Sequence, residues 1–264
     1  MTAAFNGQET LRVFPNLGVG SGSKGVLDIS SLDNIKRWLP IELSDLEILN
    51  YINNKTIYPN TLPQEPEHLE IEFALAKEAL RQATVLTLPG FPKQLGSGGT
   101  LLPPLEPIIG SGRLLTKAPT RYQPLWVLLD GLQPTGITTL ALDQNGLLPG
   151  LGAVAEINPL LTVQVIESNT FLNLGTIIAP YGNARPGTTI LRVQVIREDG
   201  RSFTREIKHG SLSVIPVDPG EKVSLHLRPL HRFDIGMGGP GKAGTVNASG
   251  GALGVIIDAR GRPL

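Results

Sequence analysis

The spacing of apolar residues changes along this chain, and that change constrains its fold more than any other feature. Early segments repeat apolar residues at helical spacing, whereas segments after about Asn169 alternate apolar with polar. Ser31 precedes a stretch in which Leu32, Ile35 and Leu39 share one helical face, and Pro40 ends it. Ser44 and Glu47 have capping-box spacing and open a helix carrying Leu46, Leu49 and Ile52. Pro66 starts the strongest helical signal, which runs to about Ala83. Its stripe is Leu69, Phe73, Ala76 and Leu80, with Glu67, Glu70, Lys77 and Arg81 off it.

Short apolar strands then interleave with helices. Residues 105–109 read as a strand, 122–132 as a helix, 138–142 as a strand, 146–156 as a helix and 161–166 as a strand. That alternation is the signature of an α/β sheet. Further on, residues 190–197 alternate, Glu198-Asp199-Gly200-Arg201 is a tight turn, and 202–208 is its partner strand. Strands at 212–217 and 222–228 follow, joined by a turn at 218–221. Nine of the 31 glycines lie in the last 32 residues, and the apolar run 253–257 reads as a final strand. The expectation is an α/β lobe over 1–168 and a small antiparallel β-rich domain over 169–264. The loop between Thr87 and Pro107 is expected to carry a mobile tip at Gly96-Ser97-Gly98-Gly99.

Lys plus Arg equals Asp plus Glu at 23 each, so no net field favours nucleic acid or an anionic membrane, and no nucleic-acid motif is present. The absence of cysteine excludes disulfides, thiolate metal sites and a Cys nucleophile. The first ten residues resemble no signal peptide, and no apolar run nears the roughly 20 residues of a membrane helix. A soluble, cytoplasmic protein is expected. With aromatic residues at only 5%, the core must be built from Leu, Ile and Val.

Three glycine loops are candidates for chemistry. In the first, residues 16–25, Gly20, Gly22 and Gly25 fit a dinucleotide G-x-G-x-x-G, but Pro15 interrupts the strand such a motif needs. The Walker pattern fails too, at Ser23 and Val26. A backbone cradle for phosphate and an ordinary turn both remain open. In the second loop an apolar strand runs into Gly110-Ser111-Gly112, a turn that would let a flat ligand approach the main chain, or an ordinary strand exit. The third, Gly236 to Gly241 around Pro240, reads as turn geometry. His226 falls on an outward face opposite Val223, Leu225 and Leu227, which argues against a metal site with His231. Asp130 and Asp143 are candidates to position magnesium or water, with turn capping the alternative for Asp143.

As a whole the wording resembles the glutamate mutase L family, the accessory protein associated with adenosylcobalamin-dependent glutamate mutase and distinct from the mismatch-repair protein of similar name. The resemblance rests on RVFPNLGVGSG, IKRWLPIELSDLEILNYINNKTIYPNTLP, LEPIIGSGRLLTKAP, LLDGLQPTGITTLALDQNGLLPGLGAVAEINP, NLGTIIAPYG, GSLSVIPVDPGEK and FDIGMGGPGKAG with GGALGVIIDARGRPL. It implies the actin, sugar-kinase and heat-shock-chaperone superfamily, hence a partial actin-like ATPase lobe that binds ATP with magnesium. Asn16-Leu17-Gly18, running on to Gly20, is similar to the superfamily's second phosphate loop, with Asn where Asp is usual. Gly110-Ser111-Gly112 is similar to its adenosine loop. The first phosphate loop is not found in residues 1–15, which implies the C-terminal part of a longer protein or a truncated gene. The function implied is a nucleotide-binding accessory protein that reactivates or chaperones a cobalamin-dependent mutase, with ATP hydrolysis impaired or absent and no catalytic residue assigned. The alternative is a non-catalytic interaction module with a degenerate nucleotide site. A small-molecule kinase would need a phosphoryl-acceptor base, and no residue is identified as one.

Overall fold

A computed structural model describes residues 2–5, 8–91, 101–168 and 170–264. The glycine tip at 96–99 and Asn169 lie outside the described residues. In chain order the elements are β1 (Thr2–Phe5), β2 (Gln8–Leu11), α1 (Ser23–Ile29), α2 (Leu32–Lys36), α3 (Asp45–Ile57), α4 (Pro66–Thr87), β3 (Ile108–Gly110), α5 (Arg113–Thr116), α6 (Tyr122–Leu132), β4 (Gly136–Leu142), α7 (Leu148–Ala155), α8 (Pro159–Glu167), β5 (Leu172–Ala179), β6 (Thr189–Arg197), β7 (Ser202–Lys208), β8 (Ser211–Ile215), β9 (Lys222–Pro229), β10 (Gly244–Ser249) and β11 (Val255–Ala259). The fold is mixed α/β with a separate antiparallel sheet, as expected. The chain forms two compact units, Met1–Leu102 with Trp126–Gln133, and Pro103–Leu125 with Pro134–Leu264.

The first unit is helical around α4. Ser31 caps α2 by accepting from the Asn34 amide, and Ser44 with Glu47 closes the expected capping box on α3. Pro66 sits in the first turn of α4, where its missing N–H costs nothing. The expected stripe holds, with Phe73 and Ala76 buried, but α4 buries a second stripe as well. Ile71, Ala74, Leu75 and Ala79 pack with Val26 of α1, Ile35 of α2 and Ile48 and Ile52 of α3. A helix apolar on two sides sits in the middle of its unit. Against α4, α6 approaches at Gly131, where an added Cβ would stand 2.6 Å from Leu80 Cβ and 3.0 Å from the Lys77 carbonyl oxygen.

The second unit holds two sheets. A mixed five-stranded sheet has the order β3-β4-β5-β11-β8, and an antiparallel four-stranded sheet the order β10-β9-β6-β7. Leu191, Val193 and Val195 of β6 and Val223, Leu225 and Leu227 of β9 share one cluster with Ile178, Ile215, Val255 and Ile257 of the mixed sheet. The alternation read from the sequence thus sets which face of the antiparallel sheet is buried.

The final strand is β11, shifted two residues from the expected run, and all five of its residues are buried. It pairs parallel to β5 and antiparallel to β8, so the glycine-dense C-terminus ends as an internal strand. Within it, the fully buried Asp258 carboxylate accepts from Arg260 at 2.8 Å and from Arg262 at 2.6 Å. Burial pushes this carboxyl up, but the two guanidinium groups outweigh it and hold it below its ordinary range.

One expected strand is wrong. Residues 161–166 lie within α8, whose N-cap Asn158 accepts from the Leu161 amide and whose first position is Pro159. The Asn-Pro start signal overrides the β-branched run Thr162, Val163, Val165 and Ile166. In the first glycine loop, α1 begins at Ser23, so the helix takes up the second half of what reads as a turn.

Candidate functional site

The two loops singled out by the sequence lie in different units, and each has a definable local geometry. In the first, the chain turns at Phe14, whose carbonyl accepts from the Leu17 amide at 3.0 Å. It then runs to α1, where the Ser23 amide bonds the Gly20 carbonyl at 3.0 Å. Among the described residues, the amides of Gly18, Val19, Gly20, Ser21 and Gly22 donate to no protein acceptor. Gly22 is buried, but Gly18 to Gly20 are half-buried and Ser21 exposed, and unpaired N–H groups there, ahead of a helix, can receive an anion or water.

The glycines of this loop divide into two kinds. A Cβ on Gly22 would stand 2.8 Å from the Gly18 nitrogen, and one on Gly25 would run into the Asn16 carbonyl oxygen. These two let α1 lie directly on the Asn16–Gly18 backbone, so the G-x-G-x-x-G spacing serves packing. Gly18, in contrast, has nothing within 4 Å of its Cβ position, and Gly20 meets only Pro59 at 3.4 Å. Asn16 is exposed and uncharged.

The second loop follows β3, the edge strand of the mixed sheet, which runs parallel to β4. The Gly110 carbonyl accepts from the Asp143 amide at 2.9 Å, which ties the strand exit to the end of β4. Ser111 and Gly112 are exposed. Gly112 adopts φ +107°, a conformation that L side chains resist, and has open space around it. It is the N-cap of α5 and provides no side-chain cap.

The other candidates resolve into structure. Asp143 is buried, its two carboxylate oxygens each accepting at 2.9 Å from the Leu147 and Leu148 amides at the start of α7. It caps that helix. Asp143→Ala is expected to cost about 1 kcal/mol in denaturant unfolding, and a change below a few tenths would refute the capping role. Asp130 is 3.1 Å from Lys77. His226 is exposed as expected and 2.9 Å from Thr245 Oγ1; His68 stacks on Tyr51 at 4.6 Å; His209 meets Phe233 edge-on at 5.6 Å. Among the described residues no group of three His, Cys, Asp or Glu could hold a metal ion, and no helix is long and apolar enough to cross a membrane.

Two buried ionic groups in the first unit were not legible in the sequence. Glu72 pairs with Lys55 at 2.6 Å and accepts from the Tyr51 hydroxyl at 2.8 Å, while Lys55 also donates to the Thr61 carbonyl. Burial, then the Glu72 hydrogen bond, pushes the Tyr51 hydroxyl well above its ordinary range. Glu78, fully buried, gathers donors from Ser30, Trp38, Arg81 and Gln82. Only the Arg81 and Gln82 spacings, three and four residues on, could have been seen in advance.

A family model described as MutL protein matches residues 2–170, well over half of the chain and a span that includes both loops. Residues from 171 onward lie outside that match. Among curated proteins and among solved structures, nothing matches this chain.

Proposed function

Because this chain belongs to the MutL protein family, the glutamate mutase L family, we propose that it is an accessory protein of an adenosylcobalamin-dependent mutase that binds a nucleotide and reactivates or chaperones its client. The observation that carries the nucleotide part is the run of unused amides at Gly18–Gly22. Those amides suit phosphate oxygens, because partial positive charge gathers where backbone N–H groups have no acceptor. The turn after Gly110, exposed at Ser111 and Gly112, suits close approach by a flat ring system, since Gly112 adds no side chain to keep a ligand off.

Hydrolysis is expected to be weak or absent. Asn16 carries no charge, so it is a poorer magnesium ligand than aspartate and no base. Single-turnover measurements should show no ATP consumption above background.

Calorimetry with ATP and ADP, with and without magnesium, tests the binding. Saturable binding is expected, and Gly18→Val should weaken it at least tenfold. Gly18 has open space and no left-handed φ, so valine is accommodated without a ligand and blocks only what approaches from outside. Absence of binding at millimolar nucleotide, or unchanged binding in the variant, overturns the nucleotide part.

An interaction module without nucleotide is the second reading, favoured by α7 and α8. This helical pair buries none of its residues and leaves Leu160 66% and Ile166 50% exposed, with Ile157 in the turn between them at 84%. Apolar helices left uncovered mark a surface that meets a partner. Failed calorimetry would leave this reading standing.

A further inference from the structure

The outward face of the antiparallel sheet carries a cationic groove that the proposed function does not use. Arg192 of β6 and Arg228 of β9 are direct cross-strand partners. Their Cα atoms are therefore about 5 Å apart and both side chains leave the same face. On the other side of Arg192, its register partner on β7 is Glu206, which accepts from the guanidinium at 2.9 Å. Arg228 is exposed and has no acidic partner among the described residues.

The next row across the four strands is wholly polar, in the order Thr204, Gln194, His226, Thr245. The exposed Ala243 is small enough to leave the space beside these rows open, whereas the Cβ position of Gly244 faces inward onto Met237. Together these residues line a groove of about 450 Å³, within the range of small-molecule sites.

Like charges directly opposed across a sheet are destabilising, and Glu206 neutralises only one of the two. An anion seated between the guanidinium groups removes that repulsion. We propose that this groove binds a phosphomonoester, with Arg228 and Arg192 gripping the phosphate and Thr204, Gln194 and Thr245 donating to it or its carrier. A phosphate dianion offers three acceptor oxygens and a charge near −2. A carboxylate offers two oxygens and −1, and so leaves one of the two forks unmatched. Apart from His226 no aromatic side chain lines the groove, so a base finds no Phe, Tyr or Trp face to stack on and a small carrier is the better fit.

The test is NMR titration of the full chain with inorganic phosphate and glycerol phosphate at constant ionic strength, with chloride as control. Saturable shifts at Gln194, His226 and Thr245 are expected. Arg228→Gln and Arg192→Gln should each weaken binding at least tenfold. Arg205→Gln, on β7 but alternating to the other face, should leave it unchanged. These are exposed positions, and circular dichroism of each variant confirms that it remains folded. Absence of saturable shifts, equal loss in Arg205→Gln, or binding to single-stranded DNA or phosphatidic acid vesicles without binding to free phosphate would overturn the proposal. The nucleotide measurements on Gly18→Val are independent of it, because the two sites share no residue.

Discussion

Replacing Gly25 by alanine is expected to lower stability by about 2–4 kcal/mol, read as a fall in the denaturation midpoint at unchanged slope. Two effects oppose each other at this position. Gly25 lies inside α1, where alanine is favoured over glycine by about 1 kcal/mol. Its Cβ, however, would enter the Asn16 carbonyl oxygen and stand 3.0 Å from the Asn16 carbonyl carbon and 3.1 Å from Asn16 Cβ. That neighbour is backbone, which cannot rotate away, so the steric cost wins. Gly150 provides the contrast. It lies in α7 with nothing within 4 Å, so alanine there should be neutral or stabilising by up to about 1 kcal/mol. Equal behaviour of the two variants would show that the Asn16 turn relaxes, and that Gly25 is not kept for packing.

Glu78→Gln should remove an acid-sensitive share of stability from the first unit. Burial pushes the Glu78 carboxyl up, but hydrogen bonds from Arg81, Ser30, Trp38 and Gln82 overcome it and hold the group at about 2, below the ordinary 4.5. A carboxyl lowered on folding stabilises the folded form when ionised. Its contribution is therefore full above about pH 4.5 and is lost as pH falls toward about 2. At roughly 1.4 kcal/mol per unit, and discounted for screening by nearby solvent, the contribution is about 2 kcal/mol. The substituted protein should be less stable at pH 7 by about that amount, and the difference from the parent should vanish near pH 2. A constant difference across the pH range would mean that Glu78 acts through shape and not charge.

Much of the helical framework was legible because its signals are local. Ser44 and Glu47 are three residues apart, Pro66 needs only its own missing N–H, and the Leu69–Phe73–Ala76 stripe repeats within one helix. The β6–β7 hairpin was legible for the same reason, since its turn residues and its alternation are contiguous. In contrast, α8 contained two local signals that disagreed, and the strand propensity of Val163, Val165 and Ile166 was the weaker one. The strand β5 gave no alternation to read because all its residues from Leu174 to Ala179 are buried, leaving no polar side to mark a period.

For the candidate site the division is sharper. The sequence picked out both glycine loops, but it could not say which glycines serve a ligand and which serve packing. That depends on what lies opposite each Cβ position, and Asn16 stands nine residues from Gly25.

By itself, then, the sequence determined the α/β class, the caps of α2 and α3, the buried face of β6 and β9, and the family. All of these rest on residues within a few positions of one another or on wording taken whole. Only the tertiary structure decided that Gly22 and Gly25 hold α1 against the Asn16 turn, that Glu78 and Glu72 are buried with their charges matched, and that β11 is an internal strand. It alone set Arg192 opposite Arg228. These outcomes depend on contacts between residues far apart in the chain, where steric fit and desolvation, and not local propensity, set the energy.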